Sequence, residues 1–122
     1  MTDDDVLAQI QRLVKSVWGL ELLLLLRRES QRAWRHEDLV RELRSSDTAV
    51  GEGLISLQSA GLVTADADHV YRYQPASADL DRISGRIEAI YAAKPLAVAK
   101  AIMTAPNDKL RIFADAFRMK DS

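Results

Sequence analysis

Trp34-Arg-His-Glu-Asp-Leu-Val-Arg-Glu-Leu43, Ser46-Asp-Thr-Ala-Val50, Leu54, Leu57, Ala60-Gly-Leu-Val63 and Val70-Tyr-Arg-Tyr73 are the residues whose order decides the fold. Ala33-Trp34 reads as a short first strand. Glu37 and Asp38 follow at a helix start, where the positive end of the dipole favours acids, and Leu39, Val40 and Leu43 are that helix's core side. Ser45-Ser46-Asp47 forms a polar turn after Arg44, and either Ser46 or Asp47 can cap the next helix by accepting from its free N–H groups. In that helix Val50, Leu54 and Leu57 recur at four and three residues as a buried stripe, while Gly51, Glu52, Ile55, Ser56 and Ser59 face elsewhere. Gly51 and Gly53 each weaken it by about 1 kcal/mol relative to Ala, so tertiary packing must hold it. Gly61 supplies a left-handed stop. Leu62–Ala65 and Val70–Tyr73 then pair as a hairpin around Asp66-Ala-Asp-His69, and Gln74-Pro75 ends it, since proline has no N–H for the ladder.

Helices are predicted on both sides of this stretch. Asp3–Asp5 complement a helix start, and Val6, Ile10, Leu13, Val14 and Val17 follow at helical spacing. The pattern thickens into Trp18, Leu20 and Leu22–Leu26, apolar on nearly every side. Such a helix is buried on more than one face, and part of it is expected to meet a second copy. Gly19 either breaks the pattern into two helices or permits close approach of another element. Arg27–Arg32 reads as the exit loop. After Ser77, the residues Leu80, Ile83, Ile87 and Ile90 predict an amphipathic helix. Lys94-Pro95 interrupts it, because the residue before a proline resists the helical region. Leu96, Val98, Ala99, Ile102 and Met103 continue a stripe, and Leu110, Ile112, Phe113 and Phe117 predict a last short helix. The expectation is one domain over 1–122, mainly α with a small β-hairpin (α+β). Residues 1–30 are N-terminal helices, 31–77 the core, and 78–122 C-terminal helices.

Composition narrows the function. The chain has no cysteine, which removes disulfides, thiolate nucleophiles and Cys-based zinc sites. The run Leu22–Leu26 is bounded by Glu21 and Arg27-Arg28, far short of the roughly 20 apolar residues that a membrane span needs. The acidic start Met-Thr-Asp-Asp-Asp is unlike a basic secretory signal, so a cytoplasmic protein without membrane partners is expected. The two histidines, His36 and His69, stand at a helix start and in a turn, without His-x-x-x-His or Glu-x-x-His spacing. Gly51-Glu-Gly53 lies inside a helix, so it is no phosphate loop. No enzyme activity, metal or cofactor is expected.

The Trp-x-x-Glu-Asp-Leu opening, the Ser-Ser-Asp-Thr turn, and Leu57-x-x-Ala-Gly-Leu-Val leading into Tyr71-Arg-Tyr resemble winged helix-turn-helix transcriptional regulators, including those of the MarR type. The C-terminal Phe113-Ala-Asp-Ala-Phe-Arg118 also looks like small bacterial regulators. The resemblance implies a homodimer on double-stranded DNA, paired through the helices of 78–122, with the helix from Ser46 to Ser59 in the major groove and the hairpin on backbone or minor groove. Thr48, Gly51, Glu52, Ser56 and Arg72 occupy the matching positions.

The charge pattern departs from that family. Net charge is −1, with 17 Lys and Arg against 18 Asp and Glu. Between Ser46 and Tyr71 there is no Lys or Arg, while Asp47, Glu52, Asp66 and Asp68 are present. Phosphate contacts supply most non-specific affinity, so cations must come from elsewhere. Arg27, Arg28, Arg32, Arg35, Arg41 and Arg44 cluster upstream, either as a phosphate clamp or as a solvated face. Arg35, Arg41 and Arg44 are the predicted backbone contacts. The alternative is a winged helix that docks a protein partner through its acidic face without binding DNA directly. Trp18, Tyr91 and Met103 read as core or dimer interface, the alternative being an effector pocket between the core and the C-terminal helices.

Overall fold

The computed structural model describes residues 2–104; the helix expected over Leu110–Phe117 lies outside the described residues. The element order is α1 (Asp3–Leu13), α2 (Val17–Arg28), β1 (Trp34–Arg35), α3 (His36–Leu43), α4 (Asp47–Ser59), β2 (Val63–Ala65), β3 (Val70–Tyr73), α5 (Ala78–Ala93) and α6 (Pro95–Met103). The architecture is mainly helical with a three-stranded antiparallel sheet in the order β1-β3-β2. The first strand is therefore Trp34–Arg35, one residue later than expected.

Side-chain caps set most helix starts. Thr2 accepts from Asp5 N–H at 3.2 Å while the Asp5 carboxylate accepts from Thr2 N–H at 3.1 Å, a reciprocal capping box. These hydrogen bonds hold the Asp5 carboxyl below its ordinary pKa. Ser16, Ser46 and Ser77 cap α2, α4 and α5 one-sidedly, their hydroxyls accepting from Gly19, Ala49 and Leu80 N–H. The break between α1 and α2 thus falls at Val14–Ser16 rather than at Gly19, because the Ser16 hydroxyl captures the Gly19 N–H at 3.0 Å. Gly19 instead serves close approach: a Cβ added at Gly53 would lie 3.8 Å from Gly19 Cα and 2.9 Å from Leu22 Cδ2. Lys94 separates α5 from α6, with Pro95 in the first turn of α6, where its missing N–H costs nothing.

The core runs from Val6, Ile10 and Val14 through Leu22–Leu26 to Trp34, Leu39, Leu54 and Leu57, and on to Ile87 and Val98. Helix α2 packs against α4, α3 and β3, and each of its five consecutive leucines is at most 8% exposed. The chain itself covers α2, so the run does not need the second copy that its all-round apolarity implied. Arg27 belongs to α2, not to a loop. Its guanidinium lies 5.9 Å from the Tyr73 ring centroid and beside Gly85, where an added Cβ would sit 2.8 Å from the guanidinium.

On the other side, α1 and α6 run side by side, with Lys94 Nζ 2.9 Å from Asp3 Oδ2 and Gln11 Nε2 donating to the Ala101 carbonyl at 3.0 Å. Tyr91 O–H donates to Glu21 at 2.6 Å and ties α5 to α2; that bond to a carboxylate raises the Tyr91 pKa. Tyr73 O–H donates to Asp81 at 2.7 Å, and burial is the main cause of its raised pKa.

Candidate functional site

Sheet register decides where two of the predicted residues emerge. Trp34 pairs with Tyr71 and Arg35 with Val70, while Thr64 pairs with Arg72. Side chains alternate along a strand and match across it. Trp34, Tyr71, Tyr73 and Val63 therefore share the core face, and Arg35, Val70, Thr64 and Arg72 share the outer one. Arg35 is diagonal to Arg72 across this pairing, a spacing of about 7–8 Å. The structure thus brings together two exposed arginines that lie far apart in sequence. Among the described residues, neither makes an ion pair.

Arg35 is also the N-cap residue of α3. An arginine has no acceptor to offer the helix, so the cap is one-sided: Asp38 accepts from Arg35 N–H at 3.3 Å. That leaves the Arg35 side chain in solvent. Asp38 also holds Arg41, at 3.2 Å, so Arg41 is exposed but partnered.

At the other end of α3, Arg44 takes the left-handed conformation, φ 52° and ψ 42°, which reverses the chain into the Ser45–Ser46 turn. His36 bridges the two helices: its Nε2 lies 3.5 Å from Asp47 Oδ1, and its ring faces Gly51. The start of α3 therefore abuts the first half of α4. Thr48 and Glu52 are exposed on α4, whereas Gly51 and Ser56 are half-buried.

The upstream arginine cluster divides. Arg27 faces inward over Tyr73, and its Nε is buried without a hydrogen-bond partner among the described residues. Arg32 stacks 3.6 Å from the Trp34 ring centroid. Both are engaged with aromatic rings of the fold, and Arg32, still exposed, also lies 4.0 Å from Glu29. Arg28, Arg35 and Arg44 remain exposed and without ion pairs among the described residues.

Among the described residues, Trp18, Tyr91 and Met103 do not line one pocket. Tyr91 is bound to Glu21, Met103 is 75% exposed on α6, and Trp18 lines a different groove. That groove lies between the α1–α2 turn and α4, measures about 520 Å³, and includes Leu13, Trp18, Glu52, Ile55 and Ser56. Sequence reading missed it. The one available sign was Ile55, a large apolar residue off the Val50–Leu54–Leu57 stripe. Comparison with known proteins finds no matching family model, no matching curated protein and no matching solved structure.

Proposed function

We propose that the chain is a winged helix-turn-helix DNA-binding regulator that acts as a homodimer. The observation that carries this reading is the pairing of β1 onto β3 beside α3 and α4, with Arg35 and Arg72 together on the outer sheet face and without ion pairs among the described residues. Strand, helix, turn, helix and hairpin follow in the winged order. Helix α4 would enter the major groove with Thr48 and Glu52, while Arg35, Arg44 and Arg72 meet phosphates. Helix α6 supports pairing of two copies: it buries Val98 and Ile102 but leaves Leu96 84% and Met103 75% exposed.

Arg35→Ala and Arg44→Gly test it together. Each is expected to weaken binding to duplex DNA and to lower the salt slope by about 1 per protomer. Glycine at position 44 also relieves a left-handed backbone that costs a side-chain-bearing residue about 1 kcal/mol. Arg44→Gly is therefore expected to bind more weakly while melting higher, which separates lost contact from lost folding. Parent-like binding by both variants would remove these arginines from the interface.

A second reading is favoured by the four acids and absent cations between Ser46 and Tyr71. Here the acidic face of α4 and the hairpin docks a basic protein partner, and charge reversal at Glu52 and Asp66 abolishes that docking.

A further inference from the structure

We propose that the groove between the α1–α2 turn and α4 binds a lipophilic organic cation. Ligand sites of small molecules are typically about 300–1,000 Å³, apolar, with few polar groups placed to orient the guest. This groove has that size and character. Its floor includes Val14, Gly53 and Leu57, all buried. Its open sides carry Trp18, 52% exposed, and Ile55, 65% exposed. Large apolar side chains left singly in water need no explanation; here two line one concavity.

Charge selects the guest. Glu52 and Ser56 stand four residues apart, on one face of α4, and Glu52 makes no ion pair among the described residues. Glu52 is the one acid in the lining. On the opposite wall Ser16 is committed to its helix cap. Lys15, the one cation in the lining, is an exposed residue whose long stem lets an ammonium reach water. A cation with an apolar body gains the Glu52 carboxylate and the negative face of the Trp18 indole together. An anion of the same shape would meet Glu52 as a like charge.

The groove also includes Glu52 and Ser56 of the predicted DNA face. A bound cation would therefore exclude DNA from α4, a consequence that rests on the DNA-binding reading above, whereas the cation site itself does not.

The test is a titration of the full chain with tetraphenylphosphonium and with its isosteric anion tetraphenylborate, followed by tryptophan fluorescence. Trp34 is fully buried, so Trp18 is the reporter. Saturable quenching by the phosphonium is expected, with about tenfold weaker affinity in Glu52→Gln and about tenfold weaker binding of the borate, each equivalent to about 1.4 kcal/mol. Equal binding of the two ions, or indifference to Glu52→Gln, would overturn the proposal as mere apolar adhesion. So would a groove that takes no phosphonium while Ile55→Glu turns a dimer into a monomer in sedimentation, since a second copy would then be the occupant. Repeating the titration on a DNA complex separates the two claims. Displacement supports the shared face, and DNA retained at saturating phosphonium overturns it. Failure to bind DNA at all counts against the DNA reading and leaves the cation titration standing.

Discussion

Trp34→Ala is expected to lower the free energy of unfolding by about 3–5 kcal/mol, a large fraction of the roughly 5–15 kcal/mol that holds a domain of this size. Trp34 is fully buried, pairs with Tyr71 across the sheet, and carries the Arg32 guanidinium on its ring. Truncation would empty the place where the sheet meets the helices. Its indole N–H is also buried without an acceptor among the described residues, and an orphan donor costs about 1–3 kcal/mol. Trp34→Phe keeps most of the ring and removes the orphan, so its expected cost is less than half that of Trp34→Ala. Urea unfolding of the two variants checks this. Equal losses would mean that the N–H has a partner in solution.

Gly53→Val is expected to cost about 3 kcal/mol or more, at the upper end of overpacking penalties, because α2 and α4 touch at this point. The first added carbon already falls 2.9 Å from Leu22 Cδ2, and Leu22 is 1% exposed, so its methyl must shift within the core. Gly53→Ala is the milder case, since its helix-propensity gain of about 1 kcal/mol partly offsets the contact. Shortening the neighbour by Leu22→Val is expected to make Gly53→Ala cheaper, with a coupling of about 1 kcal/mol in a double-mutant cycle. Additive behaviour would place the contact elsewhere.

These two residues mark what sequence reading reached and where it stopped. Trp34 was legible as part of a short strand before a helix, although its full burial was not. Val50, Leu54 and Leu57 were legible from their spacing, and all three are buried; Gly61 was legible as a stop, and its φ is +79°. Such signals are local. Gly53 reads locally as a weak helix former, and its purpose appears only when Gly19 and Leu22 arrive from a different helix. The same holds for Arg27, which sequence placed in a polar loop but which lies over Tyr73. Among the predicted site residues, the nearness of Arg35 to Arg72 depends on strand register, which no single segment encodes. The Trp18–Ile55 groove depends on how α2 enters beside α4. The α1–α2 boundary was a contest between two local signals, and the hydrogen-bonding serine prevailed over the permissive glycine.

The DNA-binding claim is tested most directly by fluorescence anisotropy of the full chain on random duplex DNA, titrated from low to moderate salt. Three arginines on each of two protomers, each neutralising one phosphate, predict a slope of log affinity against log salt of about −5. Absence of binding at the lowest salt, or binding indifferent to salt, would contradict it and favour the acidic face as a protein-docking surface.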